Sequence, residues 1–237
     1  MGIEDIIKYY NAMLPRFEAD DHRENPRHVI SLKRLEGLIK AGHNVLDIGC
    51  GVGTTTRSIT NMGALATGID IAPDLIDYAN KWNTNFGRAH YICGNICDIK
   101  LEQQFDIISL IDVIEHIPWD DMHEFFRRLY DWSNEETTFY VNLPDGRFTQ
   151  YMQDHYPEKL QPIDNVIHHD KLLGLFRDIG FECIEWKGYG IDTPIQYCQG
   201  IFVYKDLINK TYKSILTYIY QDSDKSDSRG EGKNHGE

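Results

Sequence analysis

Short apolar runs alternate along the chain with longer segments whose apolar residues recur every three or four positions. The short runs are too brief for helices and predict strands, whereas the longer spacing predicts amphipathic helices. Predicted strands cover residues 45–48, 65–69, 89–93, 105–110, 137–143, 181–186 and 199–204. Predicted helices cover residues 3–14, 27–40, 54–62, 73–82, 120–132, 170–179 and 205–220. This alternation favours an α/β fold built on a largely parallel sheet.

One domain over residues 1–220 is expected, because 237 residues supply one full core and modest additions. Its N-terminal helices lie within residues 1–40, and the first of them is expected to end near Pro15. That helix either packs against the sheet or covers a substrate. The apolar stripe within residues 205–220 indicates packing or a homodimer contact, and the polar tail 221–237 is predicted to be disordered.

Three glycines follow the first predicted strand at alternate positions, Gly49, Gly51 and Gly53. Glycine lets the backbone take a positive φ and approach a ligand closely. The threonines at 54–56 can then cap the next helix. A strand, a glycine turn and a helix N-terminus form either a simple tight turn or a cradle for a nucleotide-type ligand.

Two acids flank this turn. Asp47 comes two positions before the first glycine, where its carboxylate would repel a pyrophosphate and suit a sulfonium or an ammonium. Asp70 ends the second predicted strand, 19 positions after Gly51, and is placed to accept both hydroxyls of a ribose. The two acids favour the cradle over the simple turn.

The segments Val45-Leu-Asp-Ile-Gly-Cys-Gly-Val-Gly53 and Gly68-Ile-Asp70 resemble the first two motifs of the class I S-adenosylmethionine (SAM) dependent methyltransferases. The likeness spans roughly residues 20–205 and continues through Gly94-Asn-Ile96, Phe105-Asp-Ile-Ile-Ser109 and Asp112-Val-Ile-Glu-His-Ile117. It is nearest to the small-molecule O- and N-methyltransferases typified by the ubiquinone-biosynthesis O-methyltransferases. The resemblance implies a Rossmann-like fold, with a seven-stranded, mostly parallel sheet, an antiparallel last strand and helices on both faces.

The resemblance also implies SAM as cofactor and S-adenosylhomocysteine as product. Asn25-Pro26-Arg27 is similar to a family segment in which an arginine holds the SAM carboxylate. Asn95 stands where the family usually has an acid near the adenine, and its side-chain oxygen can still accept from an amine. The implied cofactor-binding residues are Arg27, Asp47, Gly49, Cys50, Gly51, Asp70, Ile71, Asn95, Ile96, Leu110 and Ile111.

Charge and cysteine content narrow the classes of partner. A net charge of -13 argues against a protein that grips nucleic acid through many cationic contacts. The five cysteines are scattered without the paired spacing of a zinc site, and small core residues are expected at Cys93 and Cys97. The chain lacks a leader pattern and a long apolar run, so a cytoplasmic location without membrane contact is expected.

Methyl transfer from a sulfonium requires a positioned acceptor and, for many acceptors, a base. His116 is the first candidate base because it follows the fourth predicted strand, and packing there is the alternative. His168 and His169 are the second candidates, with helix capping as their alternative. If residues 112–116 are helical, Asp112, Glu115 and His116 share a face and could hold Mg²⁺ with one of these histidines, although Mg²⁺ is not expected.

The stretch 145–167 is predicted to be the acceptor-binding insertion, because a long span without regular repeats is usually functional. Its Tyr151, His155 and Tyr156, together with Tyr10, are the predicted substrate-binding residues. The predicted function is methyl transfer to an oxygen or nitrogen of a small polar metabolite, such as a sugar or a phosphorylated conjugate. A silent SAM-binding partner subunit and an NAD-dependent oxidoreductase are the alternatives, and the acceptor, the methylated atom, metal dependence and the oligomeric state stay open.

Overall fold

The computed structural model of the chain describes residues 2–21, 25–83 and 87–211. Within them, helices and strands alternate as the apolar pattern predicts. The helices are α1 (Ile3–Ala12), α2 (Leu14–Asp21), α3 (Pro26–Glu36), α4 (Thr54–Asn61), α5 (Pro73–Lys81), α6 (Met122–Asp131), α7 (Gly146–His155) and α8 (His169–Asp178). The strands are β1 (Asn44–Ile48), β2 (Leu65–Asp70), β3 (Ala89–Cys93), β4 (Ile107–Ile111), β5 (Thr138–Pro144), β6 (Phe181–Tyr189) and β7 (Tyr197–Tyr204).

The strands form one seven-stranded sheet in the order β3-β2-β1-β4-β5-β7-β6. Neighbouring strands among β1–β5 run parallel, and β7 runs antiparallel to both β5 and β6. The predicted mostly parallel sheet with an antiparallel last strand is confirmed. Because the order reverses between β1 and β4, the loops after these two strands diverge and open a crevice at their carboxyl ends.

Helices cover both faces of the sheet, as predicted. On one face, a large cluster joins α6 and α8 to the central strands through fully buried side chains such as Phe125, Leu129 and Phe176. On the other face, a smaller cluster joins α3 and α4 to β1 through Leu35 and Ile59. Burial on both faces explains why the inner strands are continuous apolar runs.

The prediction that the first helix ends near Pro15 was wrong. Helix α1 ends at Ala12, and α2 begins at Leu14 and continues to Asp21. Pro15 is the second residue of α2. A proline is tolerated in a first turn because its missing N–H has no partner inside the helix. Proline here marks the start of a helix and not its end.

The prediction of an irregular stretch over residues 145–167 was also wrong, because α7 occupies its first half. The Asp145 side chain accepts a hydrogen bond from the Arg147 N–H at 2.9 Å and caps this helix. Only Gly146 and Thr149 of α7 are buried. The helix therefore lacks the apolar stripe from which a helix is predicted in a sequence.

Near the C-terminus, residues 205–211 are helical, in agreement with the start of the predicted 205–220 helix. The remainder of that prediction and the predicted disordered tail 221–237 lie outside the described residues. The homodimer contact inferred from the 205–220 stripe stays a prediction.

Candidate active site

A cavity of about 440 Å³ lies at the carboxyl ends of β1, β2 and β4, where the strand order reverses. Its volume is within the range of small-molecule pockets, roughly 300–1,000 Å³. Helices α1 and α2 supply the opposite wall. The cavity brings together most of the predicted site residues, namely Tyr10, Arg27, Asp47, Gly49, Cys50, Gly51, Asp70, Ile71, Asn95, Ile96, Ile111 and His116.

The glycine turn after β1 has the positive φ angles that its sequence indicates. Gly49 has a φ of 68°, and a Cβ there would lie 2.5 Å from Val113 Cγ2. The N–H groups of Gly49 and Cys50 both donate to the Ile69 carbonyl, which ties the turn to β2. A side chain at position 49 would therefore be strained by both its backbone angle and its neighbour.

Asp70 holds the second side of this cradle. Its Oδ2 accepts from the Gly51 N–H and its Oδ1 from the Ala72 N–H, both at 2.9 Å. Each carboxylate oxygen has a second lone pair, so the side chain that orders the turn can still accept from two ligand hydroxyls. Burial raises the pKa of Asp70, while the three backbone N–H groups around it oppose that rise.

Asp47 is built into the sheet behind the cradle. Thr56 Oγ1 donates to its Oδ2 at 2.6 Å, and Ser109 Oγ donates to its Oδ1 at 2.7 Å. Burial raises the pKa of Asp47 to about 6, although these hydroxyls favour the charged form. Its carboxylate connects β1, β4 and α4, a bracing role that the sequence did not indicate beside the predicted cationic ligand.

This burial predicts a pH-dependent stability difference for Asp47→Asn. The pKa of Asp47 is about 6 in the folded chain against an ordinary value of 3.8 for aspartate, so ionising Asp47 opposes folding as the pH rises between these values. From about pH 4 to pH 7, the unfolding free energy of the variant should rise relative to wild type by roughly 2–3 kcal/mol. Chemical denaturation at both pH values measures this difference. If the unfolding free energies of Asp47→Asn and wild type change with pH in parallel, the prediction is contradicted. The exposed Asp77→Asn is the matched control.

Three further predicted cofactor residues, Asn95, Ile96 and Ile111, line the cavity, whereas Leu110 does not. Leu110 is fully buried in β4, since successive strand residues point to opposite faces of the sheet. The side-chain oxygen of Asn95 accepts from the Cys97 N–H at 3.1 Å and so helps to form the loop after β3.

Arg27 and Asp112 form an ion pair across the cavity wall, with Arg27 Nη1 at 2.5 Å from Asp112 Oδ2. Arg27 also lies over the Tyr197 ring, 5.4 Å from its centroid. Asp112 has a φ of 53°, the left-handed region that non-glycine residues seldom adopt. A cation and an anion are thus held where β4 ends, and the anion occupies a strained backbone position.

His116 lies beside this pair with a fixed ring orientation. Its Nδ1 is 2.7 Å from the Ile163 carbonyl oxygen, which can only accept, so Nδ1 carries a proton. In the neutral ring Nε2 is therefore an acceptor, and the Gln161 side-chain nitrogen lies 3.1 Å from it. The ring meets Tyr10 edge-on, with 6.4 Å between centroids. His116 presents a basic nitrogen on the cavity wall.

Residues 112–116 do not form the helix that a Mg²⁺ site at Asp112, Glu115 and His116 would require. The segment passes from the unusual φ of Asp112 into a short 3₁₀ turn over Ile114–His116. Asp112 pairs with Arg27, and the ring of His116 is held by Ile163. Among the described residues, no group of three or more histidine, cysteine, aspartate or glutamate side chains is placed to hold a metal ion.

The second pair of candidate bases lies elsewhere on the surface. His168 precedes α8 at its N-cap position, and His169 stacks on Trp186 with 4.4 Å between ring centroids. Both are exposed, and neither is among the residues that line the cavity. Their positions match the helix-end alternative better than a role beside His116.

Three of the four residues predicted to bind the acceptor, Tyr151, His155 and Tyr156, lie on α7 or directly after it. Tyr151 is 49 % exposed and stacks on His155 one turn later, while Tyr156 is 40 % exposed. None of the three is among the cavity-lining residues. From the same insertion, Gln161 reaches the cavity instead, because the chain after α7 returns past His116.

The contribution of α2 and of the residues around it to the cavity was not predicted from the sequence. Phe17 lies over the glycine turn, with its ring 3.8 Å from where a Gly51 Cβ would be. Asp21 binds Arg57 at 2.5 Å and also accepts from the Thr54 hydroxyl, which fastens α2 to the start of α4. The other unpredicted lining residues between positions 13 and 28 are Met13, Arg16, Asp20, Asn25 and His28.

Part of the chain is similar in sequence to known proteins. A family model described as "Methyltransferase domain" matches residues 45–136. The ubiquinone biosynthesis O-methyltransferase of Xanthomonas axonopodis pv. citri is 33% identical over 116 residues, which are 46% of this chain and 48% of the relative. The Coxiella burnetii enzyme of the same name is 35% identical over 99 residues, 39% of this chain and 42% of the relative. The chain thus spans about half the length of the curated relatives it matches.

Solved structures confirm the predicted fold class. The magnesium protoporphyrin IX methyltransferase of Synechocystis, solved with bound S-adenosylhomocysteine, has a TM-score of 0.69 and 14% sequence identity. The match covers 86% of this chain and 99% of that chain. None of the helices in the described ranges is apolar over a length that could cross a membrane. Residues 45–136 thus match a model of a methyltransferase domain, and the fold that contains them is Rossmann-like, as in the solved methyltransferase structure.

Proposed function

We propose that this chain is a SAM-dependent methyltransferase that acts on an oxygen or nitrogen of a small acceptor. One observation carries the proposal: a carboxylate at the end of β2, Asp70, is hydrogen-bonded to the glycine turn after β1 at the wall of a ligand-sized cavity. Asp70 keeps lone pairs free for a ribose, and the turn has no side chains at Gly49 and Gly51 to block a close approach.

The cofactor would lie against this cradle, and the acceptor would enter between α1 and the end of β4. Asp70 would hold the ribose, and Asn95 and Ile96, which line the cavity, would contact the adenine ring. When bound, SAM supplies a methyl group carried by a sulfonium. Residues of α1 and α2, among them Tyr10 and Phe17, would exclude water from the reacting atoms.

His116 is proposed as the base. The Ile163 carbonyl fixes the tautomer, so Nε2 is free to take a proton once an acceptor displaces the Gln161 amide. Asp164 Oδ1, 3.3 Å from Nδ1, would stabilise the ring after it gains that proton. Proton removal by a positioned group typically accelerates a reaction by a factor of about 10²–10⁴.

The predicted acceptor was a small polar metabolite such as a sugar or a phosphorylated conjugate. The cavity supports a small polar acceptor through Tyr10, Arg27, Asp112 and His116. A phosphate receives less support, because Asp112 already neutralises Arg27, and a second anion would have to compete with its carboxylate.

Calorimetric titration with S-adenosylhomocysteine and, separately, with NAD tests the proposal. Saturable binding of S-adenosylhomocysteine is expected, with no heat from NAD at the same concentrations, because the carboxylate of Asp47 lies behind the turn where a pyrophosphate would bind. Binding of NAD alone would favour the oxidoreductase alternative and contradict the proposal. Methyl transfer to a metabolite extract then distinguishes an enzyme from a silent SAM-binding partner.

A further inference from the structure

Next to the acceptor end of the cavity, beside His116, lies a buried carboxyl group without a hydrogen-bond partner. Glu115 is 2 % exposed, and neither of its carboxyl oxygens has a hydrogen-bond partner. The Oδ1 atom of the neighbouring Asp112 is likewise buried and unpartnered. These are three of the four such side-chain atoms in the described ranges.

An isolated buried carboxyl is costly, so its presence calls for a reason. Glu115 adjoins the cavity wall, since its Oε1 lies 3.7 Å from His116 Nε2, and His116 lines the cavity. The residues packed beside Glu115 donate no hydrogen bond to its side chain. Asn165 donates to the Glu115 backbone carbonyl at 2.8 Å and leaves the side chain unpaired.

Neither Arg27 nor His116 donates a hydrogen bond to the Glu115 side chain. Arg27 is paired with Asp112 Oδ2, and the Nδ1 proton of His116 is directed at Ile163. In the described ranges, six aspartates line the cavity, whereas its arginines are Arg16 and Arg27 and no lysine is present. The unpaired atoms therefore lie in surroundings with an excess of acids, which favour a cation and disfavour an anion.

We propose that Glu115 and Asp112 bind an organic ammonium group, and that the methyl acceptor is therefore an amine. This inference rests on the proposed methyltransferase function and narrows its acceptor from oxygen or nitrogen to nitrogen. The three unpartnered carboxyl oxygens lack hydrogen-bond donors and a compensating positive charge. A protonated amine supplies both, because it carries several N–H donors and one positive charge. Apolar side chains of α1, Ile3 and Ile6, suit a carbon skeleton attached to that amine.

The same placement provides the proton transfer that an amine needs. A protonated amine has no lone pair for attack, so one N–H proton moves to Nε2 of His116. The freed nitrogen pair forms a bond to the methyl carbon as the S–C bond breaks, and that electron pair stays on sulfur. The products are a methylated ammonium ion and S-adenosylhomocysteine, and His116 keeps the transferred proton.

Deuterated-methyl SAM and mass spectrometry test the acceptor class with the full chain. Wild-type protein is incubated with labelled cofactor and a small-metabolite extract, and products that gain the label are identified. Label in compounds that carry an amino group, bonded at that nitrogen, is expected. Label only on oxygen, or only in compounds without an amine, would overturn the inference.

Glu115→Gln tests the residue while keeping the side-chain volume. Labelling by this variant should fall at least tenfold, whereas its S-adenosylhomocysteine affinity should stay within about threefold. Exposed Glu102→Gln is the matched control and should label like wild type. Undiminished labelling by Glu115→Gln, or a parallel loss of S-adenosylhomocysteine affinity, would overturn the inference. The second result would assign the carboxylates to the ammonium of the cofactor itself. Failure of the proposed function is seen separately, as absent S-adenosylhomocysteine binding by wild type.

Discussion

Replacing Asp70 by alanine is expected to weaken S-adenosylhomocysteine binding at least a hundredfold. Two ribose hydroxyls would lose a charged acceptor, and each such bond contributes about 1.5 kcal/mol or more. Together they amount to about 3 kcal/mol, a factor of about a hundred in Kd. The effect should exceed this sum, because Asp70 also accepts from the Gly51 and Ala72 N–H groups and orders the glycine turn before the ligand arrives.

An analogue of S-adenosylhomocysteine without the 2′-hydroxyl distinguishes two causes of the lost affinity. One is loss of the hydrogen bonds to the ribose, and the other is disorder of the glycine turn. Wild type should bind this analogue more weakly than the parent compound, and Asp70→Ala should bind the two alike. If the variant still discriminates between them as wild type does, Asp70 does not contact the ribose. Exposed Asp77→Ala, on α5 a few residues later, is the matched control and should keep wild-type affinity.

The parts of the fold and site that are local in sequence could be predicted. Each inner strand is a short apolar run with a glycine or an acid at its end or directly after it, so its position and its carboxyl end are both visible. Because ligands lie beyond the carboxyl ends of parallel strands, the turn at Gly49 and the acid at Asp70 could be placed in one crevice without coordinates. The structure brings them together through the Gly51 N–H.

Features that depend on contacts far apart in sequence could not be predicted. Gln161 meets His116 across 45 positions, and Arg27 meets Asp112 across 85, and neither pair has a periodic signal. Helix α2 was missed because its proline indicates a break as well as a first turn. The tyrosines of α7 resembled an acceptor platform because aromatic composition does not show which side of a helix faces the cavity.

Asp47 shows how a correctly located residue can have a second role. Its position before the glycines is visible in the sequence, but the hydroxyls that bind it are contributed by Thr56 and Ser109, from the next helix and a strand that is distant along the chain. Its carboxylate is therefore satisfied before any ligand enters. By contrast Glu115, which the sequence places next to the candidate base, is buried beside the cavity, and neither of its carboxyl oxygens has a hydrogen-bond partner.

Replacing His116 by asparagine is expected to lower kcat at least a hundredfold. The asparagine side-chain amide can occupy the position of Nδ1 and donate to the Ile163 carbonyl, but it has no atom at the position of Nε2. The variant should therefore keep its fold and lose only the proton acceptor. Loss of a general base typically costs about 10²–10⁴ in rate, or roughly 3–5 kcal/mol of transition-state stabilisation.

Three measurements on His116→Asn separate a base from a packing residue. Initial rates of labelled methyl transfer should fall, while the melting temperature and the affinity for S-adenosylhomocysteine should stay near those of the exposed control His123→Asn. Packing alone would give the opposite pattern, because His116 meets Tyr10 and its side chain is only 11% exposed, so its loss would lower stability. An unchanged rate with a lower melting temperature would remove the base assignment. A fall in kcat alone would assign the proton to Nε2, since that atom is the one without a counterpart in the variant.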